Sequence, residues 1–342
     1  MDIGSAGVKL VELGRSRAGQ LVLERCASEP LGPHCMSDGH IEDFDAVAAA
    51  MRRVLRRSGT RTRQVAMSLP SSAVITKKIT LPGGLSESEL EVQVETEAGQ
   101  YIPFSLDEVS LDFCVVGPSP ASPDHIDVLI VASRKDQVQD RQGLAEAAGL
   151  RPVILDVDSY ASRRAAARLI DSLPRAAPDA VVALFEVGAT STRLQVLRAG
   201  EVLYEREQAF GDAALTQKVA RSYGLDAQEA ERRMQEGDLP PDCLDQILSP
   251  WVQGLAHDMA RALEFFFAST PHHRVDGVLL AGGCAALTGL PEAVARQTAF
   301  ACQLADPFAG MDRVGTAPAQ RPNGDAPGYL TACGLAMRRF LP

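Results

Sequence analysis

A short element made of an acidic residue, a spacer, a glycine and a small residue occurs twice in this chain of 342 residues. The first copy is DIGSAGVKL, which begins at Asp2, and the second is EVGATSTRL, which begins at Glu186. The residues after each glycine turn have the pattern of a β-hairpin. A supersecondary unit that is repeated at this distance predicts two related α/β halves that face each other.

The repeated turn also has the chemistry of a phosphate site. Small residues around a tight glycine turn expose consecutive backbone N–H groups, and such groups form a nest for an anion. The acid beside each turn would repel a phosphate unless a divalent cation lay between them, so the pattern indicates Mg²⁺ together with phosphate. One copy alone would be an ordinary hairpin, whereas two copies from opposite halves predict a grip on one polyphosphate.

The composition excludes several other classes of protein. The net charge of −10 disfavours a nucleic-acid-binding surface. The seven cysteines are scattered without a CxxC pair, and the six histidines contain no HxxxH, so neither a disulfide framework nor a zinc site is indicated. The apolar runs are far shorter than the roughly 18 residues that a membrane span requires. These features predict a soluble cytoplasmic protein.

Three stretches rich in Pro, Gly or Ser divide the chain, at 117–124, 173–180 and 306–328, and the middle one is the expected domain boundary. Ser86 and Glu89 have the spacing of a capping box, which predicts the start of a helix. Further helices are predicted at 42–58, 135–148, 161–173, 214–223, 227–235 and 251–269, and strands at 8–13, 20–25, 64–68, 73–81, 109–117, 126–134, 152–159, 180–188 and 275–283.

At this point the motifs resemble those of the actin-like ATPase fold, which actin, the sugar kinases and the division protein FtsA share. The stretch DIGSAGVKLVEL resembles its first phosphate motif, FEVGATSTRLQVL its second, and VDGVLLAGGCAALTGLPE its adenosine motif. The stretches LPGGLSESELEVQVETEAGQYIPFSLDEVSLDF and YEREQAFGDAALTQKVARSYGLDAQEAERR are similar to one branch, the PilM family of type IV pilus assembly proteins. The resemblance covers nearly the whole chain.

The resemblance implies a two-lobed actin-like ATPase fold, built from duplicated ribonuclease-H-like domains, with an inserted small α+β subdomain of the FtsA and PilM type. The first lobe would comprise residues 1–74 and 153–177, and the inserted subdomain residues 75–152. The second lobe would comprise residues 178–342, with a helical subdomain at about 211–270.

The resemblance further implies that ATP lies between the lobes. The residues that would surround it match the family's two phosphate loops, its adenosine motif and its ribose-binding acid. They are Gly4, Ser5, Ala6, Gly7 and Lys9 in the first loop, Gly188, Ala189, Thr190 and Ser191 in the second, Gly211 after the second hairpin, Glu231, and Gly282 and Gly283. Asp2 and Glu186 would contact Mg²⁺ through water.

Several departures from the family pattern bear on catalysis, and no catalytic residue is assigned. Glu186 replaces the usual aspartate, Asp212 replaces a glycine, and Met234 stands where relatives often carry lysine, so nucleotide binding is better supported than hydrolysis. The first copy also has only Met1 before its acid, whereas the second has 181–185. The first strand is therefore expected to be about five residues shorter than the second.

The function implied is an ATP-binding scaffold of the type IV pilus platform, needed for pilus assembly and twitching motility. It would be held at the inner membrane by the N-terminal cytoplasmic peptide of PilN, with other platform and motor proteins as further candidates. Tyr101, Ile102 and Phe104 flank a helix-breaking proline, so they are candidates for the peptide groove. A role for them in capping the subdomain core is equally compatible with the sequence.

Two other functions of the same fold remain open. One is an FtsA-like, membrane-associated filament, although the final stretch CGLAMRRFLP does not resemble the membrane-targeting amphipathic helix of FtsA. The other is a metabolic kinase, for which Asp156 and Asp158 are the candidate bases.

Overall fold

The computed structural model of the chain describes residues 1–32, 34–170, 179–211, 213–236, 238–313 and 325–340. The first half contains β1 (Asp2–Ile3), β2 (Gly7–Arg15), β3 (Leu21–Pro30), β4 (Met36–Ser37), β5 (His40–Ile41), α1 (Phe44–Ser58), β6 (Gln64–Leu69), β7 (Val74–Pro82), α2 (Glu87–Tyr101), β8 (Val109–Pro118), β9 (His125–Arg134), α3 (Lys135–Ala147), β10 (Arg151–Val157) and α4 (Asp158–Ile170).

The second half repeats the hairpin and then becomes mainly helical. It contains β11 (Val181–Val187), β12 (Thr192–Arg198), β13 (Glu201–Gln208), α5 (Ala213–Tyr223), α6 (Ala227–Glu236), α7 (Pro241–Cys243), α8 (Ser249–Ser269), β14 (Gly277–Ala281), α9 (Leu290–Thr298), β15 (Cys302–Leu304), β16 (Asp312–Arg313) and α10 (Leu330–Met337). The predicted boundary at 173–180 lies outside the described residues, except for positions 179 and 180. The last three positions of the helix predicted at 161–173 also lie outside them.

The two halves have sheets of corresponding order. In the second half the strands follow the order β13-β12-β11-β14-β15, with β11 and β12 antiparallel and β11 and β14 parallel. In the first half β3, β2 and β1 form the matching meander, and β6 pairs in parallel with β10. The amino group of Met1 donates a 2.7 Å hydrogen bond to the carbonyl of Ala66, which joins the short β1 to β6. The duplication expected from the repeated turn is therefore present in the sheets.

The small subdomain is the sheet β7-β9-β8, covered by α2. The predicted capping box begins α2, since the Ser86 side chain and the Glu89 side chain each bond to the other residue's backbone amide. Leu90, Val94 and Ala98 of α2 are buried against this sheet.

The core of the first half includes α3, which the sequence-based boundaries assigned to the inserted subdomain. Leu144 and Ala145 of α3 are fully buried in one cluster with Val47 and Met51 of α1. The predicted insertion at 75–152 is thus divided at about Arg134, because the strands before it have their own core while α3 packs in the first half.

The last described helix, α10, returns from the second half to pack on α4 and β2 of the first half. The predicted second lobe at 178–342 therefore does not hold as one packing unit at its end. Buried residues of both halves share the resulting cluster, among them Val11, Ala165, Leu184 and Cys333. Among the described residues, no helix combines the length and apolar character that crossing a bilayer requires.

The crossing of α4 and α10 depends on one glycine. A Cβ atom at Gly334 of α10 would overlap the carbonyl oxygen of Ala161 on α4, so only glycine permits this approach of the two backbones. Ala165, Ala166 and Ala332 are also fully buried there, and these small side chains keep the helices close.

We expect Gly334→Ala to lower the free energy of unfolding by about 3 kcal/mol, because the added methyl group forces two helix backbones apart. Chemical denaturation followed by circular dichroism measures the loss. The matched control is Gly254→Ala on α8, where the added Cβ meets only open space and should stabilise the helix by up to about 1 kcal/mol. Equal stabilities for the two variants would contradict the assigned role of Gly334.

Candidate functional site

The two glycine turns have the same geometry. The amide of Gly4 donates to the carbonyl of Gly7 at 3.0 Å, and the amide of Gly188 donates to the carbonyl of Ser191 at 2.9 Å. The hairpins that follow also share a register, in which Asp2 lies opposite Lys9 and Glu186 opposite Arg193. Each residue of the first copy thus has a structural counterpart 184 positions later.

The turns leave backbone donors available to a ligand. Within the described residues, no backbone or side-chain acceptor is hydrogen-bonded to the amides of Ser5, Ala6, Ala189 or Thr190. Groups of this kind, from two successive small residues in each turn, are suited to bind an anion.

Two of the predicted glycines are required by backbone packing. A Cβ at Gly211 would overlap the carbonyl oxygens of Gly188 and Ala189, so this glycine lies directly against the second turn. Gly282 has a φ of +92°, and a Cβ there would overlap the carbonyl oxygen of Val187. Gly211 therefore lets the segment before α5 lie against the second turn, and Gly282 lets the end of β14 lie against the end of β11.

Gly283 differs from these two, because it is exposed and its surroundings are open. The nearest atom that a Cβ would meet is Nζ of Lys9, at 3.9 Å. This nitrogen also lies 5.7 Å from the ring centroid of Tyr329. Lys9 of the first phosphate loop and Gly283 of the adenosine motif, which belong to opposite halves, therefore meet across one cleft.

A compact network of acids and a guanidinium occupies the base of this cleft. Arg193 donates to Asp158 at 2.7 Å and lies 3.6 Å from Glu186. Ser162 of α4 donates to the same Glu186 carboxylate at 2.8 Å, and Thr331 of α10 lies 3.5 Å from its other oxygen. The crossing of α4 and α10 thus supplies the two hydroxyl partners of Glu186.

Burial controls the protonation of this network. Burial raises the pKa of Glu186 to about 7, against the opposing charge of Arg193. It also raises the pKa of Asp2, although Lys9 and Arg141 oppose the shift. The negative charge of Asp158 adds to the raised pKa of both acids, and the charge of Asp2 adds to the raised pKa of Glu186. The carboxylates of the two copies are therefore close enough to interact.

A Mg²⁺ ion coordinated directly by the protein does not fit these residues well. Among the described residues, no three His, Cys, Asp or Glu side chains come together as a metal site. One oxygen of Glu186 already accepts from Ser162 and faces Arg193, and Asp158 is bonded by Ser71, the Ser159 amide and Arg193. Mg²⁺ prefers six oxygen ligands in octahedral order, with several waters retained.

Asp156 and Asp158, the candidate bases of a kinase, are both held in ion pairs. Arg164 donates to Asp156 at 3.0 Å, and Arg338 lies 3.5 Å from the same oxygen. Asp158 is bonded to Arg193. Both carboxylates therefore already have arginine partners within the protein.

Of the three positions noted in the region of the helical subdomain, only the side chain of Met234 lies in the described part of the chain. Glu231 lies on α6, but its side chain is outside the described part of the chain, and so is Asp212. Met234 packs against the helical core formed by α5 and α6, among Leu215 and Val219.

The predicted peptide residues lie at one edge of the subdomain. Phe104 is 39% exposed and lines a groove of about 370 Å³ between the first half and the subdomain sheet. Tyr101 is also half-exposed, with the Lys77 ammonium 4.6 Å from its ring centroid. Ile102 differs from the expectation, because it is buried in the subdomain core and presents no surface to a ligand.

Sequence reasoning missed Arg193, Ser162 and Thr331 as members of the site. The hydroxyls of Ser162 and Thr331 carry no motif, since only the helix crossing brings them to Glu186. Arg193 did have a signal, because it is the repeat counterpart of Lys9, which the first motif had already selected.

Comparison with known proteins agrees with this architecture. The family model described as type IV pilus assembly protein PilM matches residues 1–340. A solved structure titled PilM-PilN type IV pilus biogenesis complex has 27% identity and a TM-score of 0.80, with 100% of this chain and 98% of that chain covered. The ethanolamine utilization protein EutJ from Carboxydothermus hydrogenoformans shares the fold at 16% identity and a TM-score of 0.57, with 98% and 87% covered.

These matches confirm the actin-like ATPase fold that the repeated motifs predicted. The family model spans nearly the entire chain, including both halves, the subdomain and α10. The chain therefore belongs to the family of the type IV pilus assembly protein PilM.

Proposed function

We propose that this chain is a nucleotide-binding scaffold of the type IV pilus inner-membrane platform and that it binds the N-terminal cytoplasmic peptide of PilN. The observation that carries the proposal is the full-length similarity to a chain of a structure titled PilM-PilN type IV pilus biogenesis complex, together with the match to the PilM family model. PilN would hold the protein at the cytoplasmic side of the inner membrane through this peptide.

The nucleotide would lie in the cleft between the two turns. The amides of Ser5, Ala6, Ala189 and Thr190 would bind the phosphates, and Lys9 would add a positive charge. The open face of Gly283 would receive the base. ATP is the nucleotide class that the family resemblance implies, and binding rather than turnover is the role that the ion-paired Asp156 and Asp158 support.

The peptide would lie in the groove beside Phe104. Ala73, Ile75 and Ala132 supply apolar lining, and Ser72, Arg134 and Asp136 supply polar lining. A half-exposed aromatic ring in a groove of mixed polar and apolar lining is a suitable anchor for an extended peptide, whose backbone the polar groups can bind.

We expect Mg-ATP or ADP to bind the purified protein and to raise its melting temperature, because a ligand of the native state stabilises it. Gly283→Val should weaken binding by at least about tenfold, since the branched side chain fills the space of the base. Isothermal titration calorimetry measures the affinity and thermal denaturation checks the fold.

The control for this experiment is Gly99→Val on α2, where the same side chain also meets open space but lies on the small subdomain. It should bind nucleotide as the parent chain does. If the parent chain gives no heat and no thermal shift with either nucleotide, the nucleotide part of the proposal is wrong.

A synthetic peptide with the PilN N-terminal sequence should bind the protein, and a scrambled peptide should not. Phe104→Ala should weaken binding by at least about tenfold, as expected for truncation of an aromatic anchor. Fluorescence anisotropy of a labelled peptide measures the affinity.

Phe265→Ala is the matched control. Both phenylalanines are half-exposed with a guanidinium near the ring, Arg134 at Phe104 and Arg206 at Phe265, but Phe265 lies on α8. It should leave peptide affinity unchanged. Equal binding of the native and scrambled peptides, or equal losses in the two variants, would contradict the assigned groove.

A further inference from the structure

Arg193 is surrounded by carboxylates at the base of the cleft. Its guanidinium donates to Asp158 at 2.7 Å, and lies 3.6 Å from Glu186 and 3.8 Å from Glu205. Only 11% of its side chain is exposed. An arginine that is so nearly buried is retained in this position by its charge partners.

The counterpart of Arg193 in the first copy behaves differently. Lys9 occupies the same register opposite Asp2, but its ammonium is directed towards the opening, near Gly283 and the ring of Tyr329. Arg193 instead reaches α4 and bridges Asp158 to Glu186. Of the two equivalent cations, one faces the opening and the other lies among the acids.

Three protein cations already act on the three innermost acids of this cluster, and Glu205 and Glu207 also interact with Arg193 and Asp325 with Lys9. The innermost acids are Asp2, Asp158 and Glu186, and the cations that act on them are Lys9, Arg141 and Arg193. Arg141 is itself held by a 2.8 Å hydrogen bond to the carbonyl of Gly39. The reason for expecting Mg²⁺ was repulsion between the acids and phosphate, and protein cations already offset part of that repulsion.

The partners of Asp158 and Glu186 also oppose a metal ion. A carboxylate that holds Mg²⁺, or the water of a hydrated Mg²⁺, must keep an oxygen lone pair available for that purpose. The hydroxyls of Ser71 and Ser162 and the guanidinium of Arg193 already use the oxygens of Asp158 and one oxygen of Glu186.

We propose that Arg193 takes the place of the divalent cation in this chain, so that the cleft binds ADP or ATP without Mg²⁺. The inference rests on the proposed nucleotide-binding function. The guanidinium neutralises Asp158 and Glu186 from within, and the phosphates bind to the turn amides and to Lys9 with no bridging metal ion.

The test is isothermal titration of the full chain with ADP and with ATP, in excess EDTA and in excess Mg²⁺. Closely similar affinities in the two buffers support the proposal. Binding that is lost in EDTA and present in Mg²⁺ overturns it and leaves the nucleotide-binding function intact. Absence of binding in both buffers overturns both.

Variants at position 193 test the role of the side chain itself. Arg193→Gln should lower affinity in EDTA by at least about tenfold, since it leaves buried carboxylates uncompensated, and Mg²⁺ should restore part of the loss. Arg193→Lys keeps the charge and should remain independent of Mg²⁺. If Arg193→Gln retains its fold by circular dichroism and binds equally well in both buffers, the assignment to Arg193 is wrong. Because the parent chain alone supplies the comparison of buffers, an unfolded variant does not prevent the test.

Discussion

The close crossing of α4 and α10 at Gly334 is the contact on which the site depends. It joins the two halves through a shared core, because α10 follows the second sheet in sequence but packs on the first half. The same crossing brings the hydroxyls of Ser162 and Thr331 to Glu186, a residue of the second sheet. A helix pair separated by one additional methyl group would shift these partners relative to the turn. Core packing and site geometry therefore depend on the same few small residues.

The duplication of the turn explains both the symmetry of the site and its departure from symmetry. Gly4 and Gly188 close identical turns, and the acids that precede them face cations in the same register. The surroundings of the copies are not equivalent, since Asp158 of α4 forms an ion pair with Arg193 of the second copy but acts on Asp2 of the first copy only through its charge. Lys9 and Arg193 thus have different neighbours in spite of identical positions, and this difference separates a ligand-facing cation from an internal one.

Much of this fold could be predicted from the sequence. The repeated turn predicted the two hairpins, and hydrophobic periodicity and the capping box predicted the helices and strands. The capping box at Ser86 and the two-lobed fold are confirmed. The membership of α3 in the core of the first half could not be predicted, since its buried Leu144 and Ala145 reveal no partner by themselves. The same holds for Ile102, an apolar residue beside a proline that suits a groove or a core equally well. The network around Arg193 depends on α4 and α10, which are distant from it in sequence.

The short segment Ser71–Ala73 lies where two regions of the molecule meet. Ser71 donates both its amide and its hydroxyl to Asp158, within the acidic cluster, whereas Ser72 and Ala73 line the groove beside Phe104. Three consecutive residues thus form part of the cleft floor on one side and of the groove wall on the other. A displacement of Asp158 would be transmitted to that wall through a single turn of backbone, and any free-energy coupling between the two regions would act equally in both directions.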